Sequence, residues 1–381
     1  MEGTLTEEAR SRIRRQPGGS SEEAGNSVAG IRTDLRSKIQ GMDDPRVAGS
    51  VLSIDPPIVY TALQWHDRMR WIRAYSERLG EGPAAILVYQ IWHFGDDLAG
   101  KFAVANLRHY RKTHPQHELI MLASAPDEVE TLSRYGEPAL LLNHNLTISE
   151  ATFRPLPGSE IEFDAIYTAR PVKGKRIELA AAIDRVAYIS HIPFAPDNES
   201  AEVLAGMRAL APAHTILNRW DGAKPISLNV TEVNQAYNRA AVGLCLSAIE
   251  GAMLSSMEYM LAGLPIVSTP SLGGRDFFFD PEYCLIVPPD PRAVREAVAA
   301  LKARQIPREY VRQKTLARIE PQRRAFLALL DDFLARHGYA PRFGGEWPWL
   351  HRRKLCGWRI MAEQYERAQT ERTSRPLPKP D

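Results

Sequence analysis

The sequence has few cysteines, no long apolar run and no strong excess of charge of either sign. Its three cysteines, Cys245, Cys284 and Cys356, are odd in number and widely spaced, which excludes a disulfide framework and a cysteine zinc site. No stretch approaches the roughly 20 apolar residues that a membrane-spanning helix needs. The first residues also lack the apolar segment of a secretory leader. We therefore expect a cytoplasmic protein.

The balance of charge gives no reason to expect a nucleic acid as partner. The formal net charge is +2 over 381 residues, and 44% of the residues are hydrophobic. A global electrostatic attraction to nucleic acid or to a membrane is not supported by so small a net charge. The hydrophobic fraction is that of an ordinary globular protein, and the length favours two domains.

The two ends of the chain differ in composition from the middle. Residues 1–55 contain no aromatic residue and are rich in Glu, Arg, Gly and Ser. Such a segment cannot bury enough apolar surface to offset the entropy lost on ordering, so we predict a flexible arm. The same reasoning predicts a disordered tail over 369–381.

Between these ends, predicted strands and helices alternate. The apolar strand AAILVYQIW (84–92) is followed by the loop HFGDDLAG and by a helix from Lys101, and after residue 155 the alternation restarts with the strand FDAIYTA and a helix over 174–183. Strands that are apolar throughout indicate parallel sheets covered on both faces. We predict an N-terminal Rossmann-like domain over 56–155, a C-terminal one over 156–335, and a C-terminal helical segment over 336–368.

A second helix in the C-terminal domain carries an unexpected carboxylate. In the stretch EGAMLSSMEYMLAGLPIVST, apolar residues recur at helical spacing from Gly251, and Glu258 falls inside that stripe. A buried carboxylate needs a partner, which could be a nearby Arg, a backbone amide or a ligand. Glu250 and the small residues Gly251 and Ala252 precede the helix, whose positive end favours an anion. Eight helical residues rise roughly 12 Å.

Glu250-x7-Glu258 followed by AGLPIVST and Gly273-Gly274 resembles the C-terminal signature of retaining GT-B glycosyltransferases of group 1 (family four). This resemblance implies two Rossmann-like domains that face a cleft. It also implies that Glu250 faces the donor sugar, that Glu258 binds the ribose hydroxyls, and that the donor site includes Gly251, Ala252 and Met253.

The segment YTARPVKGKR resembles a second element of the same family, in which an Arg and a Lys hold the donor diphosphate. Arg170 and Lys175 take these positions, whereas Ala169 and Arg176 replace glycines that the family often has. Fixed cations suit a leaving diphosphate because they stabilise its developing negative charge. The alternative is a solvated basic loop.

The N-terminal part resembles the family less closely. The segment NHNLTISEATFRPLPG resembles the interdomain segment, which would place His144 and Asn145 beside the cleft. His93 follows a predicted strand, where the family often has a histidine near the reacting centre, so it is a candidate catalytic residue together with Glu250, Arg170 and Lys175. A structural hydrogen-bonding role is the alternative for His93. The family's acceptor domain is larger, so we expect a reduced N-terminal domain.

The resemblance implies transfer of a sugar from a nucleotide diphosphate sugar to an acceptor hydroxyl, with retention of configuration and with no metal or cofactor. The acceptor would be a saccharide, a lipid-linked molecule or a small molecule. Two alternatives stay open: a non-catalytic nucleotide-sugar-binding or scaffold protein, and a nucleotide-sugar 2-epimerase. The C-terminal EWPWLHRRKLCGWRIM either packs back on the N-terminal domain or makes weak contact with a membrane surface, which would make the protein peripheral.

Overall fold

The computed structural model describes residues 48–63, 79–90, 93, 97–190, 198–210, 213–222, 224–345, 347–350, 356–357, 363, 366 and 370. Most of the arm predicted over 1–55, and all but one residue of the tail predicted over 369–381, lie outside these residues. The end of the predicted arm is corrected, however, because Ala48–Ile54 is a strand of the N-terminal sheet.

The described part of the chain is built from strands and helices in the following order. The strands are β1 (Ala48–Ile54), β2 (Pro57–Leu63), β3 (Ala84–Gln90), β4 (His117–Ala123), β5 (Ala139–Leu141), β6 (Phe163–Ala169), β7 (Val186–Ser190), β8 (Thr215–Ile216), β9 (Trp220–Asp221), β10 (Lys224–Pro225), β11 (Ala240–Cys245), β12 (Ile266–Ser268), β13 (Cys284–Ile286) and β14 (Cys356–Gly357). The helices are α1 (Asp97–Thr113), α2 (Pro126–Arg134), α3 (Asn198–Ala209), α4 (Val230–Asn238), α5 (Leu254–Leu261), α6 (Pro291–Arg304) and α7 (Arg308–Arg336).

The C-terminal sheet has six parallel strands in the order β13-β12-β11-β6-β7-β8. Its inner strands are mostly apolar, and the apolar residues of β6 and β11 are buried apart from Ala169 and Ala241, which are half-buried. Parallel sheets are buried on both faces because helices cover both sides, and such strands are therefore mostly apolar. The predicted α/β class is confirmed here.

The N-terminal sheet also has six strands, in the order β14-β1-β2-β3-β4-β5. Strands β2 to β5 are parallel, whereas β1 runs antiparallel to both of its neighbours. Strands β1 and β14 lie outside the boundaries 56–155 that were predicted for this domain. The sheet is therefore completed by the beginning of the described chain and by a segment close to its end.

The C-terminal segment returns to the N-terminal sheet. The ring of Trp349 lies 4.8 Å from that of Tyr60, and its indole N–H donates to Ser50 Oγ at 3.1 Å. Helix α7 ends at Arg336, and 339–350 are not helical where they are described. The helical segment predicted over 336–368 is thus wrong over 339–345, over 347–350 and at β14. None of the helices in the described ranges is long and apolar enough to cross a membrane.

Three other local predictions also need correction. The helix predicted over 174–183 is instead two short 3-10 turns, Lys173–Lys175 and Ile177–Ala180, because Arg176 between them has a left-handed backbone (φ 49°, ψ 47°). The helix expected from Lys101 already begins at Asp97. The helix expected from Gly251 begins three residues later, at Leu254.

Candidate functional site

The candidate site lies where the strand order of the C-terminal sheet reverses. From β6 the chain moves outward through β7 to β8, then returns to β11 on the other side of β6 and continues to β12 and β13. In open parallel sheets, ligands bind beyond the carboxyl ends of the strands at such a switch point. Arg170 directly follows β6, and Glu250 lies five residues after β11 ends.

The cations after β6 have different surroundings. The Lys175 ammonium forms an ion pair with Glu250 Oε1 across the switch point, and its side chain is 12% exposed. Arg170 is half-buried, and its guanidinium has no hydrogen-bond partner within the described ranges. The structure thus brings Lys175 and Glu250 together and leaves the guanidinium of Arg170 available.

Glu250 is buried between the segments that follow β6 and β11. Its carboxylate accepts a hydrogen bond from Ser247 Oγ at 2.6 Å in addition to the Lys175 ion pair. Its backbone N–H donates to the carbonyl of Leu272 at 3.0 Å. The cation and the hydroxyl on one carboxylate oxygen offset the free-energy cost of burying the charge. They also hold the carboxylate in one orientation.

The segment between Glu250 and α5 is closely packed. Gly251, Ala252 and Met253 are all buried, and Asn145 from the interdomain segment donates to the carbonyl of Met253 at 3.0 Å. No side chain caps the N-terminus of α5. The unsatisfied N–H groups of the first turn therefore remain suited to an anion.

Glu258 has a protein partner that the sequence analysis did not anticipate. It lies on α5 and is half-buried, and its Oε2 accepts a hydrogen bond from the hydroxyl of Tyr237 at 2.7 Å. A tyrosine hydroxyl was not among the partners that the sequence suggested for this carboxylate. Tyrosine in α4 gave no recognisable signal because 21 residues separate it from Glu258.

The loop Leu272–Asp276, which lies between β12 and β13, packs against residues of the N-terminal part of the chain. Gly273 has φ +103°, and a Cβ there would overlap the carbonyl oxygen of Glu250 and lie 3.2 Å from His93 Cβ. The carbonyl of Gly274 accepts a hydrogen bond from Asn143 Nδ2 at 2.7 Å. A Cβ on Gly274 would overlap the carbonyl oxygen of Ser124, so close packing requires both glycines, and Gly273 brings the backbone of Glu250 close to His93.

His93 is engaged by carboxylates on both ring nitrogens. Its Nδ1 lies 3.3 Å from Glu128 Oε1, and its Nε2 lies 3.3 Å from Asp127 Oδ2. Burial lowers the pKa of His93, but the hydrogen bond to Glu128 and the charges of Asp127 and Glu128 outweigh burial and raise the pKa above its ordinary value. These contacts favour a structural role, since a general base needs a free ring nitrogen.

Arg275, which follows Gly274, is fully buried. It donates to the carbonyl of Ser247 at 2.7 Å and to that of Thr269, and its Nε lies 2.7 Å from Asp276 Oδ1. Arg176, which replaces a family glycine, donates to the carbonyl of Leu246 at 2.6 Å. Both guanidinium groups therefore hold the strand ends beneath the site.

The contacts of His93 lead to a prediction on pH. The pKa of His93 should lie above about 6.5, and Glu128→Gln should lower it, because the amide removes a negative charge. A histidine with a raised pKa adds stability at pH below its unfolded-state value, and this is lost as the pH rises through the folded-state pKa. NMR titration of the imidazole resonances, assigned with a His93→Gln variant, measures the shift. Glu130→Gln on the same helix is the control, and an unchanged pKa in Glu128→Gln would contradict the pairing.

Comparison with known proteins supports the fold. A family model described as glycosyl transferases group 1 matches residues 214–303. Sucrose-phosphate synthase from Thermosynechococcus elongatus is similar in structure, with a TM-score of 0.50, 16% identity, and coverage of 83% of this chain and 74% of that chain. HepE from Anabaena, in complex with UDP-glucose, has a TM-score of 0.51 and 11% identity, and covers 72% of this chain and 78% of that one. A search of curated protein sequences finds no match.

The match covers Tyr237 on α4, Glu258 on α5 and Glu250 in the loop between β11 and α5. The structural similarity extends over both sheets. The fold is therefore that of the GT-B glycosyltransferases, and residues 214–303 are similar to the glycosyl transferases of group 1, as the resemblance seen in the sequence predicted.

Proposed function

We propose that the protein transfers a sugar from a nucleoside diphosphate sugar to an acceptor hydroxyl. The observation that carries the proposal is the placement of cations and carboxylates around one switch point: Arg170 and Lys175 after β6, and Glu250 and Glu258 after β11. Support also comes from the family match and from HepE, whose structure contains UDP-glucose. UDP-sugars are accordingly the first donors to test.

Each charged residue has a role in this proposal. The diphosphate would bind Arg170, Lys175 and the uncapped N-terminus of α5, where fixed positive charge stabilises the leaving group. A diphosphate that takes over Lys175 frees the Glu250 carboxylate to accept hydrogen bonds from the sugar hydroxyls. Glu258 would accept from the ribose hydroxyls one helix length away.

The proposed reaction retains the anomeric configuration and needs neither a metal nor a cofactor. The bond between the sugar carbon and the diphosphate oxygen breaks, and the acceptor oxygen forms a bond to the same carbon on the same face. The acceptor proton passes to the departing diphosphate, as the resemblance implies, so no base on the protein is required. This is consistent with His93, whose ring nitrogens both face carboxylates.

The acceptor in this proposal is a saccharide, a lipid-linked molecule or a small molecule. The protein acts in the cytoplasm. A lipid-linked acceptor would bring it to a membrane surface.

The first test is a thermal-shift screen against nucleoside diphosphates and nucleotide sugars. A ligand at 100 times its Kd stabilises the folded protein by about 2.7 kcal/mol. A shift with one nucleotide identifies the donor, which is then used in transfer assays with a panel of hydroxyl acceptors. Binding without transfer or hydrolysis would favour the scaffold alternative, and conversion to an epimeric sugar would favour the epimerase. No shift with any nucleotide would overturn the proposal.

Two variants test the assignment of residues. Glu258→Ala should weaken donor binding by about 10- to 100-fold, the equivalent of a hydrogen bond to a charged group. Arg170→Ala should lower turnover as well, by about 100- to 1,000-fold, as expected for a group that stabilises charge in the transition state. Calorimetric titration and initial rates measure the two effects. Glu296→Ala and Arg295→Ala, which remove the same charges from exposed positions on α6, are the controls, and wild-type behaviour of both site variants would refute the assignment.

A further inference from the structure

A chain of three hydrogen-bonded side chains connects β6, α4 and α5. Thr168 Oγ1 donates to the hydroxyl of Tyr237 at 3.1 Å, and that hydroxyl donates to Glu258 Oε2 at 2.7 Å. Tyr237 is fully buried, whereas Glu258 is half-buried. The tyrosine thus lies behind the carboxylate, on the side away from solvent.

Both ends of this chain are fixed by the fold. The backbone N–H of Thr168 donates to the hydroxyl of Tyr259 at 2.6 Å. Tyr237 is near the end of α4, which is stabilised at its start by a capping box between Asn229 and Glu232. The position of Glu258 is therefore set relative to β6, which ends one residue before Arg170.

The Tyr237 hydroxyl is a dependable donor to the carboxylate. Burial, and next the negative charge of Glu258, raise the pKa of Tyr237 well above its ordinary value, so the phenol keeps its proton. Thr168 occupies a lone pair of the phenol oxygen, which leaves the O–H directed at Glu258. A hydrogen bond to one carboxylate oxygen restricts rotation of the whole group.

We propose that Tyr237 is a positioning residue that acts through Glu258 and makes the site selective for ribonucleoside diphosphates over their 2′-deoxy analogues. The inference rests on the proposed function, in which Glu258 accepts from the ribose hydroxyls. A site built to bind a hydroxyl rejects ligands that lack it, because its own polar group is then left without a partner. That discrimination requires a carboxylate held in one orientation.

The test compares the affinities of UDP and 2′-deoxy-UDP, or of GDP or ADP and its 2′-deoxy form if that nucleotide gives the larger thermal shift. Wild-type protein should prefer the ribonucleotide by about tenfold or more. Tyr237→Phe should lose about tenfold in affinity for the ribonucleotide and little for the deoxynucleotide, as expected for one charge-assisted hydrogen bond. The ratio of the two affinities should therefore approach one. Calorimetric titration gives both constants.

The matched control is Tyr283→Phe. Tyr283 is also fully buried, but its hydroxyl pairs with that of Thr315 at 3.2 Å and takes no part in the chain from Thr168 to Glu258. This variant should keep the wild-type ratio of affinities. Thr168→Val, which removes the hydroxyl that orients Tyr237, is a second variant and should lower the ratio in part even if Tyr237→Phe folds poorly.

The possible outcomes separate the two proposals. If the wild-type protein discriminates between UDP and 2′-deoxy-UDP, and Tyr237→Phe and Thr168→Val discriminate equally well, the role of Tyr237 is refuted and the proposed function stands. If wild-type protein binds both nucleotides equally, the selectivity is refuted while donor binding stands. If the wild-type protein binds none of the nucleotides, the proposed function fails, and the inference fails with it.

Discussion

Replacing Arg275 by alanine is expected to lower the free energy of unfolding by about 3–5 kcal/mol, the range found when one partner of a buried ion pair is removed. The guanidinium is fully buried, and its planar set of donors satisfies the carbonyls of Ser247 and Thr269 as well as the Asp276 carboxylate. Burial opposes the charged form, but Asp276 outweighs it and raises the pKa of Arg275 above its ordinary value. Alanine leaves two carbonyls and a carboxylate without their donor.

Equilibrium unfolding in urea measures the effect. Arg324→Ala is the control, because Arg324 is 67% exposed and pairs with Glu320 one turn away on α7, and such a pair contributes only about 0.3–0.5 kcal/mol. Arg275→Lys should also destabilise the protein, since a single ammonium cannot reach three acceptors arranged for a planar fork. An Arg275→Ala protein as stable as Arg324→Ala would mean that the carbonyls of Ser247 and Thr269 find other hydrogen-bond donors.

The C-terminal sheet could be predicted from the sequence because its strands are short apolar runs bounded by polar loops. The predicted strand FDAIYTA coincides with β6 residue for residue. A strand that is buried on both faces does not alternate between apolar and polar residues. It appears instead as a short apolar stretch, which can be recognised without knowing its tertiary contacts. The loops that follow such strands, with Arg170 and Glu250, could be located for the same reason.

Other elements depend on contacts that the sequence does not display. Strand β1 is antiparallel and pairs with β14, some 300 residues later. Helix α7 continues through Pro321, a residue that normally ends a helix, and was not predicted. The helix predicted over 174–183 is interrupted at Arg176, whose guanidinium binds Leu246 and Thr269 just beyond the ends of β11 and β12.

The site shows the same division. The spacing of Glu250 and Glu258 could be read from the sequence, but the partners of these carboxylates could not. Lys175 is 75 residues from Glu250, and Tyr237 is 21 residues from Glu258. A motif thus identifies which groups are present at a strand end, whereas their orientation and hydrogen-bond partners depend on side chains brought together by the fold.

Gly273→Ala is expected to destabilise the protein by about 2–6 kcal/mol, the sum of the usual costs of a strained backbone and of an overpacked site. The backbone at this residue has φ +103° and ψ −166°, a region that glycine adopts and alanine avoids. A Cβ would in addition overlap the carbonyl oxygen of Glu250 and crowd His93. The overlap is with backbone, so no side-chain rotation relieves it.

Gly158→Ala separates the two causes. Gly158 also has a positive φ, +76°, but a Cβ there meets nothing within 4 Å, so alanine pays only the conformational cost of about 1–2 kcal/mol. Urea unfolding and the thermal shift produced by donor are measured on both variants. The Gly273→Ala protein should lose the donor shift under conditions where it remains folded, because moving the Glu250 carbonyl also moves the carboxylate that is paired with Lys175. Equal stability and equal donor shifts in the two variants would mean that the Leu272–Asp276 loop yields to the added methyl group without disturbing Glu250. The position of Glu250 would then depend on its contacts with Lys175 and Ser247 and not on the packing of this loop.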